Sequence, residues 1–151
     1  PRPQGRDRIE FLICANPGQT PRPLSKVASG GELSRISLAI QVENIRASEV
    51  PTLIFDEVDA GIGGGVAEIV GRLLQQLGEQ GQSLCVTHLP QVAAQASHHL
   101  RISKALDGEV MRTRIQPLSD QARIEEVARM LGGVKITDQT RAHAEEMLGI
   151  N

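Results

Sequence analysis

Two adjacent carboxylates and a histidine have the residue types and positions that catalysis on water requires. Asp56 and Glu57 directly follow the apolar run 53–55, and His88 directly follows the strand-like run 83–87. A carboxylate oxygen suits a hard cation such as Mg²⁺, and a second carboxylate can take a proton from water as a general base. The pair therefore predicts metal-assisted chemistry on water, with an acidic, solvated turn as the alternative interpretation.

The two runs that carry these residues are predicted to be neighbouring parallel strands. Each is short and largely apolar, which is typical of strands buried on both faces of a parallel sheet. Between them, residues 60–65 form a glycine-rich turn and residues 66–77 carry an apolar stripe at helical spacing, with Ile69 among its members. A right-handed strand–helix–strand unit places both strand ends at one edge of the sheet, where such folds bind ligands. The topology therefore predicts that His88 lies near Asp56 and Glu57.

A serine and two glycines precede a further predicted helix. Ser29, Gly30 and Gly31 lead into apolar residues that recur at near-helical spacing to about residue 47. Ser29 is a candidate N-cap, with Glu32 three positions on as in a capping box. The same geometry suits phosphate, because glycines let backbone N–H groups approach an anion and a helix N-terminus carries partial positive charge. The residues alone leave both a helix cap and a phosphate contact open.

The remainder of the chain predicts a strand at 9–15, a hairpin and two helices. Residues 100–106 and 109–115 flank Asp107-Gly108, a strong signal for a two-residue β-hairpin. Two helices follow, one opened by Ser119 with an apolar stripe and one from Thr137 to near Gly149. Four basic residues are predicted to line the exposed face of the hairpin, either solvated or against an acidic partner: Arg101, Lys104, Arg112 and Arg114.

Composition limits the classes of protein to which the chain can belong. Its 151 residues suffice for one domain or one large lobe, and no apolar run approaches the length of a membrane span. The net charge of -2 provides no general basic field, and two Phe without Tyr or Trp argue against base-stacking platforms. No signal-peptide pattern follows Pro1. Cys14 and Cys85 are predicted to be buried free thiols in a reducing compartment.

Three motifs together resemble those of ABC-type ATPase heads, and they come in the right order. Residues 28–35 are similar to the signature motif, residues 53–59 to the Walker B strand with its catalytic glutamate, and residues 85–88 to the switch-histidine segment. The resemblance is strongest to the SMC-like DNA repair ATPases of bacteria and runs from about Arg8 to the last residue. It implies an α/β, P-loop NTPase-like head with a mainly parallel sheet flanked by helices, plus a hairpin and terminal helices. The implied function is ATP-dependent repair and recombination at DNA double-strand breaks.

The resemblance implies ATP and Mg²⁺ as cofactors, and it assigns three residues to the site within one head. Asp56 resembles the residue that holds Mg²⁺, usually through water. Glu57 resembles the base that activates the attacking water, and His88 resembles the switch residue that contacts the γ-phosphate.

Other residues resemble contacts made across a dimer of heads. Residues 29–31 resemble the signature residues that contact the γ-phosphate of ATP bound to a partner head, and Asp59 resembles the D-loop aspartate at the dimer interface. Two positions depart from the common ABC pattern. Glu32 stands where transporters usually have Gln, and Gly63 stands where many ABC proteins have a second D-loop aspartate.

A phosphate-binding loop of the form Gly-x-x-x-x-Gly-Lys-Ser/Thr does not occur in the sequence. Residues 1–151 are therefore predicted to be the C-terminal lobe of a split head. The expected partners are an N-terminal Walker A lobe of the same protein, a second head in an ATP-sandwiched homodimer, and DNA, with no membrane. The expected location is the bacterial cytoplasm, at the nucleoid.

Two alternatives come from other functional classes. In a Mg²⁺-dependent nuclease or topoisomerase-like domain, Asp56 and Asp59 would share a metal, but no further carboxylate from another strand end is evident. A non-catalytic interaction domain with an ATPase-like fold is the second alternative. The intact Asp56-Glu57 pair and His88 argue against such degeneration.

Overall fold

The strands of the computed structural model pair as three two-stranded sheets within the residues that the structure describes, which are 5, 9–14, 18–26, 30–43, 50–56, 58–108, 110–132 and 135–150. Ser29 and Glu57 lie outside these residues. The elements follow in the order β1 (Leu12–Ile13), β2 (Arg22–Pro23), α1 (Gly30–Glu43), β3 (Thr52–Asp56), α2 (Gly64–Gln80), β4 (Gln82–Val86), α3 (Pro90–Ala93), β5 (Leu100–Asp107), β6 (Val110–Pro117), α4 (Asp120–Gly132) and α5 (Asp138–Leu148).

The predicted parallel pair is confirmed, with α2 as its connection. β3 pairs with β4 in parallel, and the register sets Asp56 opposite Val86. Helix α2 turns a stripe of small and apolar residues inward, and the buried cluster also includes Leu38 of α1 and Phe55 of β3. Ile69 does not belong to that stripe, because 60% of its surface is exposed.

The prediction that these strands are buried on both faces is wrong for the described part of the chain. Phe55 is 7% exposed on the face covered by helices, whereas Ile54, Leu84 and Val86 are 72%, 42% and 53% exposed. Since side chains alternate along a strand, these three residues share the opposite face with Asp56. One face of the β3–β4 sheet is therefore apolar and open.

A second hydrophobic cluster joins α4 to α5. The predicted stripe of α4 is confirmed, since Ile124, Val127 and Ala128 are buried against Ala144 of α5. Thr137 begins α5 with a capping box, in which the Thr140 N–H donates to the Thr137 hydroxyl at 3.2 Å. A side chain that satisfies such a free N–H stabilises a helix by about 1 kcal/mol.

The hairpin forms as predicted, but its register differs from the expected one. Asp107 pairs with Val110, so the turn lies one position later than Asp107-Gly108, and Gly108 has a positive φ of 66°. Directly paired side chains share a face, which puts Arg101, Arg112 and Arg114 together. Lys104 lies on the other face, so the prediction of a single basic face is wrong for Lys104. That face also carries exposed apolar residues: Leu100, Ile102, Leu106, Met111 and Ile115.

The N-terminal strand is much shorter than predicted within the described residues. β1 spans Leu12–Ile13 and pairs antiparallel with β2, while Phe11 is 72% exposed. Cys14 is exposed, so the prediction that it is buried is wrong, although neither Cys14 nor Cys85 forms a disulfide. None of the helices in the described ranges is long and apolar enough to cross a bilayer.

Candidate functional site

Two of the predicted site residues, Asp56 and His88, lie at the C-terminal edge of the β3–β4 sheet. Asp56 is the exposed last residue of β3, and His88 follows the end of β4 by two residues. Because the strands run parallel and in register, both residues lie at the same end of the sheet. Glu57 falls outside the described residues, so its role stays a prediction.

Asp59 makes the densest set of polar contacts at this edge. Its carboxylate is buried, and a single oxygen, Oδ2, accepts a hydrogen bond from the Thr87 hydroxyl and one from the His88 backbone N–H at 3.0 Å. The His88 Nδ1 atom lies 3.3 Å from the same oxygen. Thr87 in turn accepts a hydrogen bond from the Leu89 N–H at 3.0 Å. The loop after β3 is thereby joined to the segment after β4, and the buried carboxylate is well compensated.

Helix α1 is joined to the same loop by an arginine. The Arg35 guanidinium donates to the Ala60 carbonyl oxygen at 2.9 Å. Gly30 and Gly31 form the first turn of α1, where backbone N–H groups have no partner within the helix. Glu32 lies in that turn as well. Ser29, the residue before α1, lies outside the described residues.

Thr87 and Arg35 make contacts that the sequence did not predict, with Asp59 and with the Ala60 carbonyl, respectively. Both lie inside the motifs that carry the family resemblance, next to His88 and at the end of the signature-like segment, respectively. A hydroxyl directly before His88 was the available signal for Thr87. Arg35 offered no signal, since an arginine on a helix is most often solvated.

Cys85 lies beneath this edge on the covered face of β4. Burial raises the pKa of its thiol to about 11, and the charges of Asp59 and Asp56 add to the increase. The thiol is therefore protonated near neutral pH, which makes it a poor nucleophile and a poor metal ligand. Among the described residues, no group of three or more His, Cys, Asp or Glu side chains is placed to hold a metal ion.

A second polar cluster, away from the β3–β4 edge, connects the base of the hairpin to α4. The buried Glu126 carboxylate accepts hydrogen bonds from Arg129 at 2.6 and 3.1 Å, and Arg101 lies 3.8 Å away. The Arg129 hydrogen bond is the main cause that lowers the pKa of Glu126. Nearby, burial lowers the pKa of His99, while the Glu126 charge opposes that effect. The buried His99 Nδ1 atom has no hydrogen-bond partner within the described structure.

These shifts predict that the chain loses stability as the pH falls from about 7. A histidine whose pKa is lowered on folding contributes stability above its unfolded pKa of about 6.5, and this contribution is lost as the pH falls through the folded pKa. Glu126 adds a loss of the same sign at lower pH. Replacing His99 by Gln should reduce the change in urea midpoint between about pH 7 and pH 5.

The neighbouring His98 provides the matched control for this prediction. It is exposed, so His98→Gln should leave the pH dependence of the urea midpoint unchanged. An equal effect of the two substitutions would contradict the role of His99.

Comparison with known proteins identifies relatives over nearly the whole chain. No protein-family model matches the sequence. The "DNA repair protein RecN" of Xylella fastidiosa is 57% identical over 148 residues, which are 98% of this chain and 27% of the relative. The proteins of the same name from Vibrio cholerae and Bacillus subtilis are 52% and 48% identical over 97% and 96% of the chain, and 26% and 25% of their own length. The chain thus spans about a quarter of the length of these relatives.

A solved structure from work on ATP-driven dimerisation and DNA-stimulated activation of SMC ATPases has a similar fold. It matches with a TM-score of 0.55 and 19% identity, covering 82% of this chain and 81% of its own. The architecture is therefore that of an SMC-type ATPase head. Along nearly its full length the chain is homologous to bacterial proteins named "DNA repair protein RecN", and its fold is like that of an SMC ATPase.

Proposed function

We propose that this chain supplies the signature motif, the Walker B residues and the switch histidine of an ATP-hydrolysing head that acts in DNA double-strand break repair and recombination. The observation that carries the proposal is the parallel, in-register pairing of β3 with β4, which brings Asp56 and His88 to one edge of the sheet. The head works in the bacterial cytoplasm, at the nucleoid.

The site within one head uses three side chains from the two strand ends. Asp56 holds Mg²⁺, which commonly takes one or two protein carboxylates and completes its shell with phosphate and water. The exposed position of Asp56 at the strand end fits such a shared site. Mg²⁺ held there would neutralise charge on the phosphates, while Glu57 would accept the proton of the attacking water and His88 would contact the γ-phosphate.

An N-terminal Walker A lobe of the same protein completes this site. The open face of β3–β4 presents Ile54, Leu84 and Val86, and exposed apolar patches of this kind are typical of surfaces that another domain covers. The matched relatives are nearly four times as long as the region they share with this chain, which leaves room for such a lobe. Covering these residues also removes the exposed sheet as a site of aggregation.

The N-terminus of α1 serves the ATP of a second head. Its first residues, Gly30 and Gly31, offer backbone N–H groups to an anion, and the helix dipole favours negative charge there. Ser29 adds a hydroxyl donor. Two heads that exchange these contacts enclose two nucleotides, so ATP binding and dimerisation are coupled.

The isolated chain should neither hydrolyse ATP measurably nor bind Mg-ATP with micromolar affinity, because it has no Walker A loop to hold the phosphates. Calorimetric titration and a phosphate-release assay test this expectation. Adding a separately expressed N-terminal lobe should restore ATP hydrolysis. Ile54→Asp should prevent that recovery, while Val66→Asp, an exposed apolar residue on α2, serves as the matched control.

Three other outcomes would favour different functions. Micromolar binding of ATP by the chain alone would contradict the split head. Mg²⁺-dependent cleavage of DNA by the chain alone would favour the nuclease-like alternative. A stable complex with the N-terminal lobe that hydrolyses no ATP would favour a non-catalytic interaction domain.

A further inference from the structure

We infer that Asp59 is a positioning residue for His88 within the same head, an inference that rests on the switch role proposed for His88. The family resemblance places this aspartate at the interface between heads. Here its side chain is 3% exposed and its Oδ2 atom faces Thr87 and His88 of its own chain. A buried carboxylate held by several donors has little freedom to swing outward, because leaving them would expose unpaired polar groups.

The contacts with Asp59 hold the backbone of His88 in position and orient its ring. The hydrogen bond from the His88 N–H to Asp59, at 3.0 Å, fixes the backbone position of His88 just after the end of β4. The Nδ1 atom, 3.3 Å from the same oxygen, turns one edge of the ring toward the carboxylate. The opposite ring nitrogen, Nε2, then faces away from Asp59, and 72% of the side-chain surface is exposed. Nε2 is therefore the atom presented to a phosphate.

Thr87 strengthens the arrangement because its hydroxyl connects Asp59 to the backbone of Leu89. Its hydroxyl donates to Asp59 and accepts from the Leu89 N–H at 3.0 Å. Asp59 thus acts on the γ-phosphate only through His88, in the way that a partner carboxylate orients a functional imidazole elsewhere. This role predicts an effect on turnover and not on the affinity for nucleotide, because orientation of the phosphate contact matters most in the transition state.

In the assembled head, Asp59→Asn should lower kcat about 10- to 100-fold and leave KM for ATP within about twofold. Thr87→Val should have a smaller effect of the same kind, and Thr87→Ser should restore near-normal turnover because it keeps the hydroxyl. Asp107→Asn, which removes an exposed carboxylate from the hairpin, is the matched control and should change neither constant.

A double-mutant cycle separates positioning of His88 from any other role of Asp59. In a His88→Ala background, Asp59→Asn should cause little further loss of kcat, because the ring that it positions is absent. An equal loss in both backgrounds would overturn the proposal, and so would a loss confined to KM or to head dimerisation. Urea unfolding of each variant shows whether a loss comes from misfolding alone.

A measurement on the isolated chain tests the geometry without any ATPase activity. Nitrogen-15 NMR of His88 should show the Nδ1–H tautomer in the wild type and its loss in Asp59→Asn, with Asp107→Asn unchanged. If this signature is present but the assembled head hydrolyses no ATP, the proposed function fails while the contact stands. If the signature is absent from the wild type, the positioning role itself is wrong.

Discussion

Replacing Glu57 by Gln will lower ATP turnover of the assembled head about 10²–10⁴-fold, the usual cost of losing a general base. The amide retains the shape of the side chain but accepts no proton from the attacking water. Nucleotide binding should persist, because Mg²⁺ and phosphate contacts are assigned to Asp56, to His88 and to the Walker A lobe. The variant should therefore accumulate an ATP-bound dimer, which light scattering detects.

Glu68→Gln is the matched control for this substitution. Glu68 forms an exposed ion pair with Arg72 on α2, and such pairs contribute about 0–1 kcal/mol. The control should keep normal turnover and normal dissociation of the dimer. Near-normal turnover of Glu57→Gln would show that another residue is the base.

Replacing Ser29 by Arg will block ATP-driven dimerisation while ATP still binds to each head. The nucleotide is held by the Walker A lobe of its own head, so the signature serine is not needed for that step. A bulky side chain at position 29 fills the space intended for the γ-phosphate of the partner's ATP. Sedimentation and ATP titration of the same sample measure the two effects.

The effect of Ser29→Ala distinguishes this contact from a simple helix cap. A cap alone would cost about 1 kcal/mol of stability and leave turnover unchanged. Ser119 provides the comparison, since its hydroxyl accepts a hydrogen bond from the Ala122 N–H at the start of α4. If Ser29→Ala and Ser119→Ala lose the same stability and both keep normal ATPase activity, Ser29 is only a helix cap.

Mixing the Ser29→Arg and Glu57→Gln heads tests whether Ser29 acts across the dimer. In a mixed dimer, the Glu57→Gln head has a defective base and faces the defective signature of its partner, so one site carries both lesions. The other site combines an intact base with an intact signature. If such mixed dimers form despite the substitution at Ser29 and the two sites act independently, up to about half of the wild-type activity should return. Demonstrated mixed dimers without recovery would contradict the trans role.

Much of the local structure was predictable because periodicity and turn chemistry act over short distances. The stripe of α4, the start of α5 at Thr137 and the parallel pairing of β3 with β4 all agree with the sequence. Each depends on residues only a few positions apart, or on a strand–helix–strand connection that forces parallel pairing.

The wrong predictions concern the position of the hairpin turn and the exposure of side chains on strands. Both depend on single residue positions or on the surface that covers a strand. The hairpin turn lies one position later than predicted. Lys104 is three positions after Arg101 on β5, so strand alternation puts it on the face opposite Arg101 and Arg114. An apolar strand predicts burial but does not reveal what covers it. Ile54 is therefore exposed in this chain although its residue type is typical of a core.

The sequence by itself determined the order of the motifs, the α/β character and the placement of Asp56 and His88 at strand ends, because these depend on residue type and local spacing. Only the tertiary structure decided that Asp59 turns inward to Thr87 and His88, and that Arg35 reaches the Ala60 carbonyl. These contacts join residues 25 to 29 positions apart. Their geometry arises from the packing of α1, β3 and β4, which no local pattern specifies.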